Sequence, residues 1–66
     1  MTIAKVIEVL AEGSSIESAV EAAVSEAGQT VRGIKHVYVE AIQAIVEDDK
    51  ITKYRVNAKV TFVIES

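Results

Sequence analysis

The chain has 66 residues, 50% of them hydrophobic and 5% aromatic, and 7 Lys and Arg against 10 Asp and Glu leave a formal net charge of -3. With no Cys it can hold neither a disulfide scaffold nor a Cys-based zinc site, and an acidic chain without a basic block lacks the footprint of a nucleic-acid binder. No apolar run approaches the roughly 18 residues of a membrane span, and Met1-Thr2-Ile3-Ala4-Lys5 has no signal-peptide layout, so a cytoplasmic location is the default expectation.

Size limits stability. A chain near this length buries only about 60% of its unfolded surface. One such core rarely supplies more than roughly 3–5 kcal/mol without a staple. Self-association is the remaining stabiliser, so the composition predicts one domain over residues 1–66 that works as a homo-oligomer.

Residues 3–10, Ile3 to Leu10, are rich in β-branched side chains and read as a strand closed by Ala11-Glu12-Gly13. Its apolar residues occupy both faces, Ile7 and Val9 on one and Val6 and Leu10 on the other. Ser14 followed by Glu17 has the spacing of a capping box, and Ser15 serves equally well as the cap. Ile16, Ala19, Val20, Ala23, Val24, Ala27 and Val31 recur at three- and four-residue steps, which places them on one face of a helix. Gly28 and Gly33 are alternative stops for that helix.

Residues 34–46 and 51–65 read as two further strands. In the last, Tyr54, Val56, Ala58, Val60, Phe62 and Ile64 alternate with Lys53, Arg55, Asn57, Lys59 and Thr61. In the one before it, Val37, Val39, Ala41 and Ile45 form one face; His36, Tyr38, Glu40, Ile42, Ala44 and Val46 form the other. Glu47-Asp48-Asp49-Lys50 contains no Gly and is expected to form a four-residue loop rather than a tight turn. That loop sets Val39 opposite Ala58, Ala41 opposite Val56 and Glu40 opposite Asn57. A one-residue slip would put Val39 against a polar neighbour. The order β-α-β-β predicts an α+β fold, a three-stranded antiparallel sheet packed on one helix.

The sheet face away from the helix gathers His36, Tyr38, Glu40, Arg55, Asn57 and Lys59 among apolar residues. Mixed surfaces of this kind mark interfaces. No catalytic set is present: the single His cannot build a multi-His metal site, Ser14 and Ser15 are explained by helix capping, and the three Gly residues form no phosphate loop. Glu40 with Lys59 reads as a cross-strand ion pair. Arg55, a planar five-donor cation, suits an anionic or aromatic ligand as well as it suits Glu40. Glu47-Asp48-Asp49 reads first as a solvated turn; the other reading is a share of a divalent-cation site between subunits.

Lys5-Val6-Ile7-Glu8-Val9, Gly13-Ser14-Ser15, Thr30-Val31-Arg32 and Tyr54-Arg55-Val56-Asn57-Ala58-Lys59-Val60-Thr61-Phe62 together resemble the dodecins, over residues 4–65. The resemblance implies a β-α-β-β subunit and a hollow homododecamer of cubic symmetry. It also implies non-enzymatic binding and storage of a flavin, riboflavin or FMN. In the family two flavin rings stack at a two-fold axis, each against a tryptophan, and a glutamine on the last strand hydrogen-bonds the ring's polar edge.

Those two positions fall at His36 and Arg55 here. With the neighbours that share their face, the candidate ligand-binding residues are His36, Tyr38, Glu40 and Arg55. Both replacements change the chemistry. Imidazole offers less stacking area than indole, and Arg55 can only donate where an amide also accepts. Members without the tryptophan form a separate, calcium-associated group, which this chain resembles at Tyr54-Arg55-Val56. Two readings therefore stand: a flavin-sequestering dodecamer with an altered pocket, or a flavin-free shell that is structural or binds calcium, with Glu40, Glu47, Asp48 and Asp49 as cation ligands by chemistry alone.

Overall fold

A computed structural model describes residues 2–65. Strand β1 (Thr2–Gly13) is followed by helix α1 (Ile16–Gly28), then β2 (Ile34–Glu47) and β3 (Lys50–Glu65). The strand order is β1-β3-β2, with both outer strands antiparallel to β3. Strands β1 and β2 are therefore parallel to each other and separated by the last strand of the chain. The expected α+β architecture, one antiparallel sheet on one helix, is the observed one.

Helix α1 starts where a capping box forms between Ser15 and Ser18. The Ser15 hydroxyl accepts from the Ser18 amide, and the Ser18 hydroxyl accepts from the Ser15 amide, both at 3.0 Å. The cap is thus Ser15, and Ser18 takes the role expected of Glu17. Glu17 lies in the first turn, where the helix dipole favours its charge. The helix stops at Gly28, without a left-handed glycine cap. Gln29 keeps right-handed geometry (φ -75°), and the amides of Gln29, Thr30 and Val31 take up the carbonyls of Glu26 and Ala27. Gly33 serves the loop instead. Its φ of 77° is left-handed, and its carbonyl accepts from the Val63 amide at 3.1 Å, which starts β2 beside β3.

The core is thin and made of small residues. Ala19, Ala23 and Ala27 of the helix are buried against Val56, Ala58, Val60 and Phe62 of β3. Alanines at this interface let the helix axis come close to the sheet. Ile16, at the outer edge of the expected stripe, is 42% exposed. A 13-residue helix is about 20 Å long, whereas the molecule measures 52 × 19 × 13 Å. The β2–β3 hairpin therefore extends beyond the helix, and its Ile42, Val46 and Ile51 are exposed.

The hairpin departs from the sequence reading in more than one place. Glu47 pairs with Lys50, so the connection is a two-residue turn and not a four-residue loop. Asp48 (φ 51°) and Asp49 (φ 62°) are both left-handed, as a type I′ turn requires, and Asp tolerates that geometry without Gly. The expected pairing survives at Val39 and Ala58 because the turn keeps it at Val46–Ile51 and Glu47–Lys50, and a register shift between Ile45 and Val46, which leaves Thr52 of β3 without a partner, is cancelled by the one between Val39 and Ala41. The second departure is a β-bulge between Val39 and Ala41. Val39 does face Ala58, but Ala41 faces Asn57, and Glu40 is left without a partner. One extra residue reverses the period-two alternation from there on. Ala41, Gln43 and Ile45 join the face of Asn57, Arg55 and Lys53; Ile42 and Ala44 join that of Val56 and Tyr54.

Candidate ligand-binding face

The face turned away from the helix is built in rows across three strands. Residues directly opposite in an antiparallel pair share a face. From the hairpin inward the rows are Glu12–Arg55–Gln43, Leu10–Asn57–Ala41, Glu8–Lys59–Tyr38 and Val6–Thr61–His36. Val6, Leu10 and Tyr38 are more than half exposed, so the face is apolar between its charged rows. Among the described residues it encloses no pocket; the surface is open.

His36, Tyr38 and Arg55 all lie on this face, as expected from the sequence. They do not converge within one chain. His36 and Tyr38 are two positions apart on β2, but Arg55 stands six positions along β3 from Thr61, the partner of His36. At about 3.3 Å per residue that separation is about 20 Å. Glu40 is displaced by the bulge and reaches Lys59 at 3.4 Å, so its expected ion pair with Lys59 forms although its expected place opposite Asn57 does not.

The strongest polar contact on the face involves a residue that sequence reasoning passed over. Glu12 binds two cations at once. Its Oε2 accepts from Arg55 Nε at 2.7 Å and lies 2.6 Å from a terminal guanidinium nitrogen, and its Oε1 lies 2.9 Å from Lys53 Nζ. Glu12 sits at the end of β1 with no motif around it. Only the β1–β3 register, which pairs it with Arg55, would have shown the contact.

Hydrogen bonds from Lys53 and then from Arg55, aided by their charges, hold the Glu12 carboxyl below its ordinary value of 4.5. The unfolded chain therefore takes up a proton on Glu12 before the folded one does. The stability this contact supplies is fully present above about pH 4.5, and it is lost as pH falls through the lowered folded value. In acid-unfolding titrations at fixed subunit concentration, Glu12→Gln is expected to flatten the decline of stability below pH 4.5 relative to wild type. Superimposable profiles would mean that the contact is absent in solution.

The acidic turn stands alone at the hairpin tip. Among the described residues no three His, Asp or Glu side chains are grouped closely enough to hold a metal ion. Among them, too, no helix is long and apolar enough to cross a membrane.

A single helix thus covers one face of a long antiparallel sheet, and the other face is open and mixed in polarity. The dodecin family model matches residues 3–65, and the chain belongs to the dodecin family. A protein of known structure from Thermus thermophilus superposes with a TM-score of 0.92 at 24% identity, covering 100% of this chain and 98% of that one. The dodecin of Streptomyces coelicolor superposes with a TM-score of 0.89 at 27% identity, covering 98% of this chain and 94% of that one. That of Streptomyces davaonensis also gives a TM-score of 0.89, at 18% identity, with 98% and 97% covered. No curated protein sequence matches significantly. Dodecins are known as non-enzymatic flavin-binding proteins. Family and fold together support small-ligand binding by this chain and a homo-oligomeric assembly.

Proposed function

We propose that the chain forms a homododecamer that binds and sequesters a flavin, riboflavin or FMN, at subunit interfaces without catalysing a reaction. The observation that carries this reading is the open sheet face, where exposed Val6, Leu10 and Tyr38 lie beside His36 and Arg55. Surface of this type is stable when a second copy covers it. The distance along β3 argues the same way. One planar ring system is too short to touch both His36 and Arg55 of a single chain, so a second subunit must complete the site. His36 and Tyr38 offer ring surface to a flat aromatic ligand. Arg55 offers donors to its carbonyl edge, and the adjacent apolar residues exclude water.

Native mass spectrometry before and after addition of excess FMN tests the proposal. A twelve-subunit mass that gains flavin-sized increments is the expected result. A twelve-subunit mass that gains none would leave a flavin-free shell and turn attention to calcium at Glu40, Glu47, Asp48 and Asp49. A monomer would remove the assembly and the interface site together.

A further inference from the structure

The amide that the ligand edge needs is present on this face, though not at position 55. The bulge after Val39 turns Gln43 onto the ligand side and sets it directly opposite Arg55. With unbroken alternation Gln43 would have faced the helix side with Val39. Arg55 is also partly committed elsewhere. Its Nε and one terminal nitrogen are held by Glu12, on the strand at the far side from Gln43. Gln43 is exposed, and among the described residues no hydrogen bond engages its side chain. Arg55 can only donate, whereas a primary amide both donates and accepts.

We propose that Gln43 is a specificity-determining residue of the ligand site and supplies a paired donor and acceptor to the edge of a planar heteroaromatic ring that carries an N–H beside a carbonyl. The proposal rests on the flavin reading above, because the imide of a flavin has this edge. Glu12 acts with it as a positioning residue. By drawing the guanidinium towards β1 it leaves the space in front of Gln43 open. The bulge at Glu40 is then a functional feature, since with the second register shift between Ile45 and Val46 it sets Gln43 on this face opposite Arg55.

Riboflavin has no phosphate, so its fluorescence quenching reads the ring site by itself. Assembled wild type, Gln43→Leu and Gln43→Glu are titrated with riboflavin and with N3-methylriboflavin, and native mass spectrometry checks that each variant keeps the wild-type mass. Gln43→Leu is expected to weaken riboflavin binding about tenfold, as the loss of a buried hydrogen-bonding pair implies. Gln43→Glu, which keeps an acceptor but lacks the donor, should also weaken it. Wild type should prefer riboflavin to the N3-methyl analogue, and Gln43→Leu should lose that preference. If Gln43→Leu binds riboflavin as tightly as wild type, or keeps the preference, the role of Gln43 is wrong while the flavin reading stands. If wild type itself takes up no riboflavin, both fall.

Discussion

Replacing His36 by Trp together with Arg55 by Gln should raise flavin affinity about 30- to 300-fold. Most of the gain is expected from position 36. An indole in place of an imidazole adds roughly 50–100 Å² of ring contact, or about 1–2.5 kcal/mol. An amide at position 55 adds about one net hydrogen bond, worth about 1 kcal/mol. The two sum to about 2–3.5 kcal/mol, which converts to the stated range. Glu12 keeps Lys53 as a partner when Arg55 is replaced, so the row is not left with an unmatched carboxylate. The single variants divide the effect. His36→Trp alone should account for most of it, and Arg55→Gln alone should add about fivefold. Equilibrium titration with FMN, on assemblies checked for unchanged mass, reads all three. No gain in the double variant would remove His36 and Arg55 from the site.

Gly13→Ala should cost about 2–4 kcal/mol, a large share of what a core of this size supplies. A methyl group at position 13 would lie 2.6 Å from the Ala19 backbone nitrogen and 2.9 Å from the Ser18 carbonyl carbon, and would press on the Ser18 hydroxyl. These atoms belong to the first turn of α1 and cannot swing aside as a flexible side chain would. The helix must lift. Overpacking of this kind costs about 1–3 kcal/mol or more, and disturbing the Ser15–Ser18 capping box adds about 1 kcal/mol. Lifting the helix also separates Ala19 and Ala23 from β3. Urea unfolding at fixed subunit concentration should show a lower midpoint with an unchanged slope. Gly28→Ala is the control: a methyl there meets nothing within 4 Å, and the change should be neutral or stabilising. Equal midpoints for Gly13→Ala and wild type would show that the helix does not seat on Gly13.

The elements and their order were legible because each carries its own periodicity. The alanine stripe of α1 and the alternation of β3 are local patterns, and each maps directly onto the observed buried residues. The β2–β3 register near Val39 and Ala58 was legible too, since a slip would have buried polar side chains. Two local details were misjudged for local reasons. Asp48 and Asp49 adopt left-handed geometry that is usually associated with Gly or Asn, and Ser18 replaced Glu17 in the capping box because the helix began one residue later.

The candidate face was only half legible. His36, Tyr38 and Arg55 were assigned to the correct face from alternation and register alone, since His36 and Tyr38 precede the bulge and Arg55 lies where the alternation of β3 is unbroken. Glu12 and Gln43 could not be found in this way. The partner of Glu12 depends on which strand lies beside β3, and local sequence does not encode the order β1-β3-β2. The facing of Gln43 depends on two unpaired residues, Glu40 on β2 and Thr52 on β3, which bound the shifted stretch of the ladder. By itself, then, the sequence determined the element types, the buried stripe and the family, because these follow from short-range patterns of apolar and polar residues. The tertiary structure decided which strands are neighbours and where the ladder slips. Those are properties of pairing between distant segments, and they determine which side chains share the face on which a ligand would rest.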